Sequence, residues 1–344
     1  MNKKAFFVNG GAGRVLCAIP ALEHYVKTTD PEAVIVAESW IELFLSSPVL
    51  RNNVYPITHR NLFKDKLLDK ELITLEPYRL NAYFTQKVNL IQAFDILVND
   101  LKDIPETKKF SADIGKGDQV FGYNFVDQIR GQLQKDKTVV FQPFGSGAKQ
   151  HGRFIIDESG RSFEIRDIIK IVEELGKHYA VILFSDIKIP VDKPMQAAVP
   201  DQLNLLQWMS VINASDYFLG CDSVGQHFAN ALNKPATVVI GSTYPENISY
   251  PGNKNFNIID NGKDKREYSP IRITTDFFIE RGNEDLMVLE DKTIDRIVKS
   301  VTDKLGKTKQ KEQKFDQVVD AHVHSPSCSH GLQTPPFAKK QNLT

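Results

Sequence analysis

The chain has 344 residues, 41% of them hydrophobic and 25% charged, with 43 Lys plus Arg balancing 43 Asp plus Glu. That length favours two cores over one, and a zero net charge excludes the global basic field that draws a protein to nucleic acid or an anionic membrane. The three cysteines, Cys17, Cys221 and Cys328, lie far apart and fit a reducing compartment rather than a disulfide framework. The first apolar run stops at Asn9-Gly10-Gly11, too short for a signal segment. Nowhere do about 18 apolar residues run together as a membrane span requires, so a soluble, cytoplasmic protein is expected.

Residues 5–8 (AFFV) form a predicted buried strand and 9–13 a tight turn. Val15, Ile19, Leu22 and Val26 then recur at helical spacing, with Pro20 expected to kink the helix or open its regular part. A strand over 33–39, a short helix over 40–47 and strands over 53–57 and 72–77 follow. Val88, Ile91, Phe94 and Leu97 predict one amphipathic helix across 85–101, before a polar loop over 106–118. From Thr138 the pattern of strand then glycine restarts: strand and loop over 138–153, helix 164–178, strand 179–186, helix 202–214, strand 216–222, helix 223–233 and strand 235–241. A last helix covers 291–306.

Strands alternating with helices in both halves predict an α/β protein with two parallel, helix-covered sheets, whose carboxyl-end loops gather on one side. The expected division is an N-terminal domain over 1–137, a second domain over 138–305, and a polar, poorly ordered tail over 306–344.

Four stretches carry chemistry. In "GCDSVGQHFANALN", Asp222 and Ser223 have the right chemistry to cap a helix, and free amides at a helix start can hold a phosphate. An acid aimed at a phosphate would repel it, so Asp222 either caps or takes a hydroxyl; His227, one turn beyond Ser223, either reaches the same site or packs. "PFGSGAKQHGR" sets Gly145, Ser146 and Gly147 beside Lys149, His151 and Arg153. Backbone donors and a point-charge lysine suit a diphosphate there, although the spacing is not a Walker loop; the alternative is a solvated basic loop. "NGGAGR" gives a glycine turn at Gly10, Gly11, Ala12 and Gly13, but Leu16 occupies the third fingerprint position, which disfavours a dinucleotide oxidoreductase. Finally, His322, His324, Cys328 and His330 are metal-capable side chains in a polar Pro/Ser tail with no core to orient them.

Together "GAGRVLCAIPAL", "PFGSGAKQHGR" and "DYFLGCDSVGQHFANALNKPATVVIGSTYP" resemble glycosyltransferase family 9, the ADP-heptose:lipopolysaccharide heptosyltransferases. The last stretch is similar to the family's Asp-Ser/Thr-Gly-x-x-His-x-Ala-x-Ala pattern, followed by a strand and Gly-x-Thr-x-Pro, at Asp222, Ser223, His227, Ala229, Ala231, Gly241, Thr243 and Pro245. "YSPIRI" at 268–273 and the final helix also fit the family's closing region.

The resemblance implies a GT-B architecture, two Rossmann-like domains facing across a cleft, and an inverting transfer from a nucleoside-diphosphate sugar to a hydroxyl without a bound metal or other cofactor. It implies that Gly145, Ser146, Lys149, Arg153, Ser223, Val224, His227 and Thr243 line the donor side with Asp222, and that Asp186 meets a ribose. The first glycine loop would face the acceptor.

Two departures stand out. Val224 replaces the glycine after Asp-Ser, with Gly225 one place later. Arg14 stands where the family carries its presumed general base, an aspartate, and an arginine stays protonated at neutral pH. Glu38 and His24 are replacements by position, while Arg14 itself could bind an anionic group. A non-catalytic nucleotide-sugar-binding protein is the alternative reading. The implied acceptor is a surface saccharide. The 221–247 stretch also resembles tailed-phage members of the family, for which a hydroxymethylated DNA base would serve, with Lys108, Lys109, Lys116 and Arg130 as a possible phosphate-binding patch.

Overall fold

A computed structural model describes residues 3–110, 113–190, 194–266 and 285–307. The first part of the chain forms β1 (Lys4–Val8), α1 (Ala12–Thr28), β2 (Val34–Ala37), α2 (Ile41–Leu45), β3 (Val54–Pro56), β4 (Glu71–Thr74), α3 (Asn81–Phe84) and α4 (Leu90–Asn99). Its four strands pair in the order β3-β2-β1-β4, every pair parallel.

The second part forms α5 (Lys116–Leu133), β5 (Thr138–Gln142), β6 (Ala148–His151), β7 (Phe154–Asp157), α6 (Ile165–Gly176), β8 (Ala180–Leu183), α7 (Leu205–Ala214), β9 (Tyr217–Gly220), α8 (Val224–Ala231), β10 (Ala236–Ile240), α9 (Pro245–Ile248), β11 (Phe256–Asp260) and α10 (Asp291–Leu305). Here the order is β11-β10-β9-β5-β8, again all parallel, with β6 and β7 as a separate antiparallel hairpin. β2, β5, β8, β9 and β10 are buried along their whole length. Helices cover both faces of such sheets, which is why these strands read as unbroken apolar runs rather than alternating ones.

The expected α/β class with two parallel sheets is therefore what forms, but several local expectations need correcting. Helix α1 continues through Pro20 as one 17-residue element. The helix expected over 85–101 is shorter, Leu90–Asn99 after a turn over 85–89, because Asn89 starts α4 afresh. Its side chain accepts from the Gln92 amide while the Gln92 side chain accepts from the Asn89 amide, a reciprocal cap that fixes a helix start whatever the apolar spacing upstream. α7 begins the same way at Asn204 and Gln207. Part of the expected basic loop at 143–153 becomes a strand of the β6–β7 hairpin, and β11 carries no strong apolar signal.

One hydrophobic core runs from Phe6, Leu16 and Ile19 of the first part to Val140, Trp208, Phe218 and Phe228 of the second. α5 lies ahead of Thr138 in the chain and packs on α7 behind it. The Asn247 amide donates to the carbonyls of Tyr83 (2.9 Å) and Val88 (3.0 Å), tying α9 to the connection before α4. The tail beyond residue 307, with its histidines and Cys328, and the YSPIRI stretch lie outside the described residues. No helix among the described residues is long and apolar enough to cross a membrane.

Candidate active site

In an open parallel sheet a crevice forms beyond the carboxyl ends of two neighbouring strands whose connections leave in opposite directions. The second sheet has this switch point between β5 and β9, and the first has it between β1 and β4. The glycine turns picked out in the sequence sit at these two places.

At the second switch point, the loop after β5 carries Gly145 and Ser146, and the loop after β9 carries Asp222 and Ser223. Asp222 is buried, and its role differs from the expected cap. The residue flanking α8 is Ser223, and no side chain caps that helix. Asp222 instead accepts from Gln226 Nε2 (3.1 Å) and from the Thr243 hydroxyl (3.1 Å), and lies 3.7 Å from Arg161 Nη1. Burial pushes its carboxyl above the usual carboxylate range, while Arg161, Thr243 and Gln226 work the other way.

Arg161 is the residue sequence reasoning missed. It follows Gly160 in a turn after β7 that Asp157 organises by accepting from the Ser159 amide (2.9 Å) and from the Ser159 and Ser162 hydroxyls. Ser162 in turn accepts from the Gly145 amide (3.0 Å), so the turn is fastened to the β5 loop. Arg161 Nε donates to Ser159 Oγ (2.9 Å), and Nη2 lies 3.5 Å from Ser146 Oγ. Burial works against its charge, but the carboxylates of Asp222 and Asp157 outweigh that and hold the guanidinium above its ordinary value. The side chain remains 24% exposed, so a fixed cation faces the crevice. Its sequence signal, the Ser-Gly-Arg-Ser of a turn, is visible only once the hairpin is known to fold back.

Lys149 lies on β6 and Arg153 beyond Gly152 at the hairpin tip, both exposed, so they belong to the hairpin rather than to the loop after β5. Val224 opens α8 half-buried, and the close approach falls on Gly225. Its amide donates to Gln142 Oε1 (3.0 Å), and a Cβ there would stand 2.2 Å from that oxygen and 2.6 Å from the Phe218 ring. Asp186 is exposed beyond the end of β8, the strand next to β5, with burial of its carboxyl pushing it above the usual range.

His227 takes the packing role. It lies buried between α1 and α8, its Nδ1 2.7 Å from the Tyr250 hydroxyl and 3.7 Å from Cys17 Sγ. Burial lowers it to about 4, so near neutral pH it is an uncharged imidazole and offers no cation to a phosphate. The two sheets' loops meet here: a Cβ on Gly13 would lie 3.1 Å from His227 Cδ2, and one on Gly11 3.8 Å from Ser146 Oγ.

At the first switch point Arg14 is 5% exposed along its side chain. Nη2 donates to the Leu75 carbonyl (2.6 Å), Nη1 lies 3.3 Å from Glu76 Oε1, and the guanidinium stacks 4.9 Å from the Tyr78 ring centre. Gly10 closes over it with φ +96, and a Cβ there would lie 2.8 Å from Arg14 Cδ. Glu38 is exposed after β2. His24 is exposed ten residues along α1 from Arg14, about 15 Å at 1.5 Å per residue. The structure does not bring His24 to either crevice. Among the described residues no three His, Cys, Asp or Glu side chains cluster as a metal site would need.

No protein-family model matches this chain, and no curated protein matches its sequence. Solved structures do match. ADP-heptose lipopolysaccharide heptosyltransferase II of E. coli aligns with a TM-score of 0.55 at 13% identity, over 88% of this chain and 98% of its own. A family 9 glycosyltransferase from Veillonella parvula aligns at 0.54 and 12% identity, over 87% and 97%. The iron-containing dodecameric glycosyltransferase TibC of enterotoxigenic E. coli aligns at 0.57 and 11% identity, over 89% and 78%. The fold is GT-B, as in the family 9 heptosyltransferases. In a GT-B frame the two switch points face each other across one cleft, which is where Gly11 meets Ser146 and Gly13 meets His227.

Proposed function

We propose that the protein transfers a sugar from a nucleoside-diphosphate sugar to a hydroxyl acceptor, with the donor at the β5/β9 crevice and the acceptor at the β1/β4 crevice. One observation carries this reading: Arg161, a cation fixed by Asp157, Ser159 and Asp222 beside the Gly145–Ser146 loop and the start of α8. A diphosphate leaving group gains one negative charge as its bond to the sugar breaks, on top of the two it already carries, and preorganised donors in a partly dry crevice neutralise these best. Arg161, with Lys149 within the hairpin's reach and the α8 amides, supplies them. Asp222, already accepting from Thr243, suits sugar hydroxyls rather than phosphate. Attack from the opposite side of the cleft gives inversion.

A saccharide acceptor fits better than DNA. Of the expected basic patch, Lys108 is spent on the buried Asp95 (2.7 Å), and Arg130 on Asp216 (2.7 Å) and Asp127 (3.3 Å). Pairs of this kind leave little charge for phosphate contacts.

The second reading, a binding protein that has lost catalysis, is favoured by Arg14, which fills the place a base would take. A turnover assay separates the two. Purified protein with ADP-, GDP-, UDP- and CMP-sugars is expected to release free nucleotide from one of them, faster when mixed saccharide acceptors are added. Binding of a sugar nucleotide with no release under any acceptor would establish the binding protein instead.

A further inference from the structure

Transfer to a hydroxyl requires a group to take its proton, and a positioned side chain contributes about 10²–10⁴-fold when it does. The carboxylates near the cleft differ in what they have left to offer. Asp157 is occupied by Ser159 and Ser162, and Asp222 by Gln226, Thr243 and Arg161. Glu38 is exposed after β2, its amide on the Val8 carbonyl, so it stands on the opposite side of β1 from β4 and the reversal.

Glu76 stands apart from these. The register of β1 with β4 pairs Phe7 with Thr74, and continuing it by two residues sets Asn9 opposite Glu76 at the mouth of the crevice. Asn9 Oδ1, Arg14 Nε and Glu76 Oε1 are all buried and make no hydrogen bond within the described chain, although Glu76 Oε1 keeps its 3.3 Å ion pair with Arg14 Nη1. Buried polar atoms are nearly always hydrogen-bonded, so three without a hydrogen bond at a single strand reversal, one of them held only by an ion pair, call for a further partner. Two acceptors and one N–H donor match a group that both donates and accepts, which is a hydroxyl. Glu76 also reaches the surface, with its side chain 28% exposed.

We infer that Glu76 is the general base and that Asn9, Arg14 and Glu76 together form the acceptor-hydroxyl site. This rests on the glycosyltransferase reading. The Glu76 carboxylate accepts the acceptor's O–H proton as that oxygen's electron pair forms the bond to the sugar's anomeric carbon. The bond from that carbon to the diphosphate oxygen breaks, and its electron pair leaves with the nucleotide. Arg14 acts as a positioning residue: pinned by Leu75 and stacked on Tyr78, it holds the carboxylate in place from the loop across the reversal.

The test compares wild type, Glu76→Gln and Glu76→Asp, reading nucleotide release from the ADP-, GDP-, UDP- and CMP-sugar panel with water and mixed saccharides as acceptors. Melting temperature with and without each sugar nucleotide reports folding and donor binding. Glu76→Gln is expected to keep the donor-induced shift and lose at least 100-fold in kcat with donor KM unchanged, while Glu76→Asp recovers part of the loss. Wild-type turnover undiminished in Glu76→Gln would overturn the assignment of Glu76 and leave the transferase standing. Absence of turnover in the wild type would sink both.

Discussion

Arg161→Met is expected to weaken nucleotide-sugar binding at least 100-fold, about 2.7 kcal/mol at 1.4 kcal/mol per tenfold. Among the described residues the arginine is the one cation fastened at the β5/β9 crevice on two sides, through Ser159 and through Asp222. Lys149 sits exposed on a hairpin strand, where its side chain loses more freedom on ordering around a ligand. The same substitution also strands the buried Asp222 carboxylate, at a cost to folding of about 2 kcal/mol; the 3.7 Å separation and the arginine's residual exposure keep this below the range for a fully buried pair. Arg161→Met combined with Asp222→Asn separates the two effects. Urea unfolding is expected to show stability recovering in the double variant while calorimetry shows affinity still lost. Affinity retained in Arg161→Met would remove this residue from the diphosphate site.

Acidification is expected to loosen the seam between α1 and α8. His227 is held near 4 by burial, below its unfolded value of about 6.5. A lowered histidine keeps the folded state free of a proton that the unfolded chain takes up, so its contribution is complete above about pH 6.5 and is lost as pH falls toward 4. Over that window the loss amounts to about 3 kcal/mol. The neighbours Cys17 and Tyr250 are both pushed upward by burial and stay protonated throughout. Asp222 acts in the opposite sense, because a raised carboxyl favours the folded state as pH falls. The comparison that isolates the histidine is His227→Gln, whose amide can still meet the Tyr250 hydroxyl. Urea midpoints at pH 7 and pH 4.5 are expected to drop much further in wild type than in the variant. Equal drops would place the acid sensitivity elsewhere.

The parallel sheets were legible because buried strands such as TVVFQ and ATVVI are apolar throughout and are punctuated by glycine turns at their carboxyl ends. The same turns located both crevices, since a glycine loop after a parallel strand lies at the ligand edge by topology. What the sequence hid were pairings between distant segments. Arg161 enters the candidate donor site because β6 and β7 fold back as a hairpin, and Glu76 the proposed acceptor site because β4 lies beside β1 rather than beside β3. Neither follows from spacing along the chain. His24 was misleading for the reverse reason, being close to Arg14 in sequence but about three helical turns away in space. His227 keeps its place in the motif, yet burial gives it a neutral, packed role that residue type alone could not reveal.

The most direct test of the account is a calorimetric titration of the full chain with ADP, GDP, UDP and CDP and their sugars, each paired with a thermal melt. One nucleotide series is expected to bind, its sugar form more tightly than the bare diphosphate. At about a hundred times its dissociation constant it should stabilise the fold by roughly 2.7 kcal/mol. A well-folded protein that gives neither heat nor a raised melting temperature with any of the eight would contradict a nucleotide-sugar site at the β5/β9 crevice.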